Sequence, residues 1–448
     1  MSDQIRLKKG LDLPIAGAAR AEVTAHVAPG LVAVKPTDFR GMVPRLLVKE
    51  GDGVMAGTPL FADKKNPEMV FCSPVSGTVE AVVRGDKRKL LAVQVKADGR
   101  GEAVRFDVPN AASLDKQGMT ELLLRCGLWP CLKQRPFGTV ADPAAEPKAI
   151  FISGMNTAPL GADPEIALKD DHAALQAGID ALARLTRGGV HLSLAAGNSA
   201  AGELHKLTGV TFHEFAGPHP AGNVGVQINH ISPINKGEVV WTVDLHLVAV
   251  IGRLFLKGVY DTRRIISVAG PAAVNPSYVE VTAGVSMKDL AAYFGEGDIR
   301  VVSGDVLSGE AVGRDGFLGF YHNQVSVLCE GHYYEMFGWA NPVRSKKFSV
   351  SRAYPAFLFR KKYDMDTNEN GGERPFLMND VYGKVLPMDI YPLYLFKACL
   401  AGDLDKMEQL GIYEVIEEDV ALCEYVCPSK IGIQDIVRKG IETMMKEM

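Results

Sequence analysis

Ala149-Ile150-Phe151-Ile152, followed by Ser153-Gly154-Met155-Asn156-Thr157-Ala158-Pro159-Leu160-Gly161, is the stretch on which the fold turns. Consecutive apolar residues bounded by turn formers read as a buried strand. Downstream, Leu175, Ile179, Leu182 and Leu185 recur at helical spacing, and Val190 to Leu194 is a second apolar run. A helix is expected over Ala200 to Leu207, and a third strand near Thr211 to Phe215. Strand, helix, strand, helix, strand makes residues 106–258 a parallel, Rossmann-like α/β domain. A dinucleotide site there needs a glycine-rich first turn, where phosphate can meet backbone N–H groups at a helix N-terminus. Ser153 to Gly161 lacks that spacing and puts Met155 and Pro159 where close approach is needed.

Upstream, from Val43 to Val83, short β-rich runs alternate with turn signals, among them Glu50-Gly51-Asp52-Gly53, Gly57-Thr58-Pro59 and Ser73-Pro74-Val75-Ser76-Gly77. This glycine and proline frame resembles the biotinyl/lipoyl carrier fold and makes residues 1–105 a small β domain. Carriers of that kind hold their modified lysine eight residues before the proline of the Ser-Pro-x-Ser-Gly turn, and eight before Pro74 is Asn66. A slip of one residue turns Lys65 to the opposite face of the strand, so it does not replace the missing group. A carrier role is therefore opposed by Asn66, and Lys64 and Lys65 read as solvated turn residues.

Downstream, strands at Arg264–Gly270, Tyr278–Thr282, Ile299–Gly304 and Gln324–Cys329 surround a helix expected to open at Ser286, with Asp289 three residues on as a capping box. That order makes residues 259–340 a β-grasp (SLBB-like) domain. Residues 341–386 read as a connection. Ile433, Ile436, Val437, Ile441, Met444 and Met445 form an apolar helical stripe, so residues 387–448 are a C-terminal helical domain. The fold class is thus multidomain α/β, in keeping with 448 residues at about 150 per domain.

Composition narrows the function. Lys plus Arg number 49 against 53 Asp plus Glu, a net charge of −4, which gives no basic excess for neutralising nucleic-acid phosphates. The 7 cysteines do not form a secreted disulfide pattern. The polar start, Met-Ser-Asp-Gln-Ile-Arg-Leu-Lys-Lys-Gly, lacks the apolar core of a secretory signal, so the chain is expected to stay where it is made. The most apolar stretch, Val239 to Tyr260, is interrupted by Asp244, His246, Arg253 and Lys257, each costly inside a bilayer, so no transmembrane segment is expected.

One metal-like signature occurs, Cys423-Glu424-Tyr425-Val426-Cys427-Pro428. Ferredoxin-type ligation wants cysteines at three-, three- and four-residue steps ending in Cys-Pro, yet the two earlier positions are Glu417 and Val420. Cys423 and Cys427 therefore read as buried thiols of a degenerate motif, with no metal. His219, in Gly217-Pro218-His219-Pro220-Ala221-Gly222, sits in a turn after a strand, where α/β sheets place ligands, although a hydrogen-bonded turn histidine is the role favoured by the residues alone. No G-x-S-x-G elbow, H-E-x-x-H or P-loop occurs.

Lys8-Lys9-Gly10-Leu11-Asp12-Leu13-Pro14-Ile15-Ala16-Gly17, Asp63-Lys64-Lys65-Asn66-Pro67, the His219 turn, Leu307-Ser308-Gly309, Phe337-Gly338-Trp339-Ala340 and Cys423 to Lys430 together resemble the A-subunit family of Na⁺-translocating NADH:quinone oxidoreductases. The resemblance implies a peripheral subunit without catalysis of its own, on the cytoplasmic face of the bacterial inner membrane, beside five other subunits, some of them integral to the membrane. The complex passes electrons from NADH to ubiquinone and exports sodium, with FAD, covalent FMN, riboflavin and iron–sulfur centres carried by the other subunits. The family is similar in turn to the C subunit of the Rnf complex, and to the flavin and iron–sulfur subunit of respiratory complex I, whose flavin loop is rich in glycine. Here the loop position reads Cys126-Gly127-Leu128-Trp129-Pro130-Cys131, and Trp129 and Pro130 stand where flavin would lie on bare backbone, so no cofactor is expected on this chain. The alternative is a soluble NADH dehydrogenase subunit, with FMN and iron–sulfur centres, active in electron transfer. The association with quinone makes Trp129, Leu132, Arg135, Phe137 and His219 candidates for an apolar, aromatic quinone cleft. The competing reading is that Trp129 and Phe137 simply fill the position as core.

Overall fold

The protein is described by a computed structural model over residues 4–197, 202–338, 347–352, 356–359 and 361–447. Trp339, Ala340, Ala200 and Ala201 lie outside the described residues. The α/β layer is a seven-stranded sheet in the order Gln4–Arg6, Val210–Ala216, Val190–Ala195, Ile150–Ser153, Val240–Val243, Leu132–Arg135 and Thr139–Val140. Its first five strands run parallel, and the last two are antiparallel at one edge. Ile150, Ile152, Leu192 and Leu194 face helices His172–Leu182 and Leu245–Lys257, while Phe151 and Val240 face helix Val224–Ile231. Both faces are covered, which is why these strands read as continuous apolar runs. The two long helices meet through glycines. A Cβ at Gly252 would lie 1.7 Å from the carbonyl oxygen of Ala174, and one at Gly178 would lie 2.2 Å from that of Val248.

The interrupted apolar run resolves at Asp244, where strand Val240–Val243 ends and helix Leu245–Lys257 begins. That helix stops at Gly258, in the left-handed conformation with φ +65°. Among the described residues, no helix is long and apolar enough to cross a membrane. The helix expected over Ala200 to Leu207 is, within the described residues, a single 3₁₀ turn, Glu203–Lys206. Gly202 opens that turn and disfavours a longer helix there.

The N-terminal unit pairs a four-stranded sheet (Leu31–Val34, Leu90–Ala97, Gly77–Arg84, Gly53–Val54) with a three-stranded one (Pro44–Leu46, Pro59–Asp63, Val70–Cys72). Between them Phe61 stacks on Phe71 at 4.8 Å, and Phe39 packs on Phe71 at 4.5 Å. Asn66 lies in a turn organised by Asp63, whose carboxylate accepts the N–H groups of Val43 (2.9 Å), Lys65 (3.3 Å) and Asn66 (3.3 Å). Strands Gln4–Arg6 and Arg20–His26 precede this unit but pair elsewhere, the first in the α/β sheet and the second in the next one.

That next sheet has six strands, ordered Glu310–Ala311, Ile299–Ser303, Gln324–Cys329, Arg263–Ala269, Ser277–Thr282 and Arg20–His26. The helix expected from Ser286 is absent from the described structure, which has only a 3₁₀ turn, Ala291–Tyr293. The Asp289 carboxylate is used elsewhere. It accepts the N–H groups of Gly30 (2.9 Å) and Leu31 (3.4 Å) and so ties this sheet to the N-terminal unit. Finally, helices Val381–Val385, Pro392–Ala401, Leu404–Gln409, Glu417–Val426 and Ile433–Glu447 share one apolar core around Tyr382, Phe396, Val420 and Ile441.

Candidate functional site

A cleft of about 810 Å³ opens at the carboxyl ends of the parallel strands, where open α/β sheets bind ligands. All four units contribute to it: Asp38 and Arg40 from the N-terminal unit, Lys133, Arg135, His219 and His246 from the α/β layer, Phe320 to His322 from the six-stranded unit, and Glu417, Glu418 and Arg438 from the helices.

Of the residues singled out from sequence, Arg135 and His219 line this cleft. Trp129 and Leu132 are fully buried in the α/β core. The Trp129 indole donates to the Ala141 carbonyl at 2.8 Å and meets Trp241 edge-on at 5.4 Å. Phe137, at φ +85°, faces Tyr413 of the helical unit at 6.1 Å. The structure thus brings two of the five together in the cleft and puts the other three in packing contacts.

His219 is held from several sides. Its N–H donates to Asp12 at 2.9 Å, its carbonyl accepts from Leu11 N–H at 2.8 Å, and its Nδ1 is 3.2 Å from Thr157 Oγ1. Burial lowers the pKa of its imidazole below the ordinary value, against the pull of Asp305 and Asp12. The Lys8–Gly17 motif is therefore a strap: Leu11 bonds the His219 turn, and Gly10 N–H donates to Lys384 of the helical unit at 3.1 Å.

Charge dominates the opposite wall. Arg135 is 2% exposed and bonds Asp419 and Glu418, each at 2.7 Å. These groups press on the first turn of helix Val224–Ile231, where a Cβ at Gly225 would lie 2.3 Å from Arg135 Nη1 and 2.5 Å from Asp419 Oδ1. Beside them Glu417 receives Arg40 on both oxygens at 2.7 Å and pairs with Arg438.

The residues at the flavin-loop position and at the cysteine motif do not fit a flavin or an iron–sulfur cluster. Glu417 is engaged by two arginines, Val420 is fully buried, and Cys423 and Cys427 lie inside the helical core. The Cys427 Sγ is 3.1 Å from the Tyr382 hydroxyl, and burial pushes the Cys423 thiol well above its ordinary pKa. Among the described residues, no group of three or more His, Cys, Asp or Glu is arranged to hold a metal. At the flavin loop, a Cβ on Gly127 would sit 2.5 Å from Cys72 Sγ, Trp129, Pro130 and Cys131 are buried, and the cavity that Gly127 and Pro130 line holds only about 20 Å³, far too little for a flavin ring.

The remaining corner of the cleft carries no sequence motif. Lys133 Nζ pairs with Asp244 at 3.0 Å and lies 4.8 Å from the centre of the Tyr321 ring. The Tyr321 hydroxyl donates to the Pro130 carbonyl at 2.7 Å, and Asp38 accepts the Phe320 N–H at 2.8 Å. Burial alone would raise the Asp244 carboxyl, but the ammonium of Lys133 outweighs it and holds it below the usual range. The available signal was the set of charges inside Val239–Tyr260: read as a bar to membrane insertion, Asp244 and His246 are also cleft-wall residues.

Family models match three stretches: the NqrA N-terminal barrel-sandwich hybrid domain at residues 5–98, the NqrA second alpha/beta domain at 114–260, and the NQRA C-terminal domain at 265–313. Relatives named as the A subunit of Na(+)-translocating NADH-quinone reductase include those of Yersinia pestis bv. Antiqua (strain Angola) and Klebsiella pneumoniae (strain 342), each 41% identical across 99% of this chain and 100% of the relative. The protein of the same name from Neisseria gonorrhoeae (strain ATCC 700825 / FA 1090) is 39% identical, again across 99% of this chain and 100% of its own length. A solved NAD⁺-reducing [NiFe]-hydrogenase aligns at 16% identity and a TM-score of 0.35, over 71% of this chain and 61% of that one, too slight a likeness to bear on the site.

Proposed function

Because the chain belongs to the A-subunit family of the Na⁺-translocating NADH-quinone reductases, we propose that it is the peripheral, cytoplasmic-face subunit of such a complex and presents a binding cleft for quinone without a redox cofactor of its own. The activity is that of the assembly, which takes electrons from NADH to quinone with sodium transport, in company with integral membrane subunits. The observation that carries the quinone reading is the cleft of about 810 Å³ at the strand ends, with the aromatic pair Phe320 and Tyr321 beside the polar groups of Lys133 and His246. An apolar, aromatic wall with a few polar groups suits a neutral ring bearing two carbonyls. Seven carboxylates line the cleft against four Lys and Arg side chains, and this acidic excess disfavours a phosphate-bearing ligand by like-charge repulsion.

The alternative, an electron-carrying flavin and iron–sulfur subunit, is disfavoured by Trp129 and Pro130 packed as core and by Glu417 clasped between Arg40 and Arg438. The test is photolabelling of the purified full chain with an azido-benzoquinone. Competition-sensitive labels are expected in peptides containing Lys133–Arg135 or Phe320–His322. Labelling confined to surfaces outside the cleft, or labelling that excess quinone does not compete away, refutes the reading.

A further inference from the structure

Arg264 is 3% exposed, and among the described residues no carboxylate pairs with it. Its Nη1 donates to the carbonyl oxygens of Phe320 (2.6 Å) and His322 (3.3 Å), and it lies 3.2 Å from His246 Nε2. Its Nε and Nη2 are buried without a partner. A guanidinium can only donate, so His246 Nε2 must accept, and the proton of the neutral imidazole resides on Nδ1. Burial, reinforced by the positive charge of Arg264, pushes the His246 pKa down to about 3, so the ring stays neutral at working pH.

The side chain of His246 is buried, 6% exposed, yet it lines the cleft. No described residue accepts a hydrogen bond from its Nδ1, and this atom is not among the buried groups left without a partner, so it keeps access to the cleft. The result is a fixed, neutral N–H donor backed by a positive charge that Asp244 offsets without pairing to it, on a cleft that Phe320 and Tyr321 also line. A carbonyl oxygen matches such a donor, since the hydrogen bond and the charge behind it both favour partial negative charge on the acceptor.

We propose that His246, held as the Nδ1–H tautomer by Arg264, donates the hydrogen bond that recognises a carbonyl oxygen of the quinone. This rests on the reading of the cleft as the quinone site. Arg264 acts as a positioning residue, setting the tautomer from behind.

The experiment uses the purified full chain and a short-chain ubiquinone labelled with ¹³C at its carbonyls, and reads both affinity and the infrared carbonyl stretch of the bound ring. In the wild-type chain one carbonyl band is expected below its position in apolar solvent. His246→Phe removes the donor; it is expected to return that band to the unbonded position and weaken binding about tenfold, the scale of one hydrogen bond to a neutral acceptor. His246→Gln offers an acceptor to Arg264 and a donor to the ligand, and is expected to restore most of the shift and the affinity. An unshifted band in the wild-type chain, or a shift retained in His246→Phe, overturns the role of His246 while leaving the cleft as a quinone site. No binding to the wild-type chain overturns both.

Discussion

Asp419 offers a sharp test of how the helical unit is seated. Its side chain is fully buried, it faces Arg135, itself 2% exposed, at 2.7 Å, and it accepts the Ile416 N–H at 3.0 Å in the first turn of its own helix. Removing one partner of a buried pair leaves an unpaired buried charge, typically a loss of about 3–5 kcal/mol. Glu418 also bonds Arg135, from a position 35% exposed, so the low end applies, about 3 kcal/mol. Loss of the cap adds about 1 kcal/mol. Asp419→Asn, which can still cap, is therefore expected to destabilise the chain by about 3 kcal/mol and Asp419→Ala by about 4 kcal/mol, whereas Arg135→Met combined with Asp419→Leu recovers most of the loss. Urea unfolding followed by far-ultraviolet circular dichroism measures this through the transition that reports the helices. A loss under about 1 kcal/mol for Asp419→Asn, or a double variant no more stable than the single one, would refute the argument that the pair is a buried, mutually compensating latch.

Trp129→Ala removes a fully buried indole and is expected to cost about 3–5 kcal/mol, while Trp129→Phe, properly folded, binds quinone like the wild type; a selective loss of affinity in Trp129→Phe would show that this side chain does reach the ligand. Asp261 is held far below the usual carboxylate range because bonds from Arg263 and Lys257 outweigh its burial, so the stability it adds is present above about pH 4 and disappears as pH falls through its lower folded value. Asp261→Asn lacks that acid limb, and urea midpoints of the two chains should converge with acidification; parallel curves would exclude the linkage. Introducing Glu417→Cys and Val420→Cys together is expected to leave the anaerobically reconstituted chain without a four-iron cluster, read by iron assay and by visible absorbance.

The sequence made the α/β layer legible because its buried strands are unbroken apolar runs, as at Ile150–Ile152 and Val190–Leu194, and its helices repeat at about 3.6 residues. It failed at Ser286, where a capping-box spacing is real but Asp289 bonds Gly30 and Leu31, which lie far away in sequence. Propensity reads only local partners, and this acid has a distant one. The site behaved the same way. Arg135 and His219, which line the cleft, each belong to a stretch that stands out in the sequence, whereas Lys133, His246, Phe320 and Tyr321 come from separate units that only the tertiary fold brings to one cleft. Trp129 shows the converse, since a large aromatic in a suggestive motif is consumed by the core when its N–H finds a carbonyl such as that of Ala141.

Helix Glu417–Val426 explains why cluster chemistry and the latch exclude one another here. Four thiolates can share a small inorganic core only if the chain folds back so that they converge, whereas in a continuous helix positions 417 and 427 are separated by about 15 Å along the axis. The same continuity places Glu417, Glu418 and Asp419 together at the helix N-terminus, where the aligned peptide dipoles favour negative charge. From there the three acids reach three guanidinium groups on three different elements: Arg40 in the N-terminal unit, Arg135 in the α/β layer and Arg438 in the last helix. An acid at position 417 therefore removes a possible ligand and bridges separate units in one step. Because Arg135, Glu417, Glu418 and Arg438 also line the cleft, the seat of this helix sets the position of one cleft wall, and loosening the latch should open the ligand site even where no ligand contact has been changed.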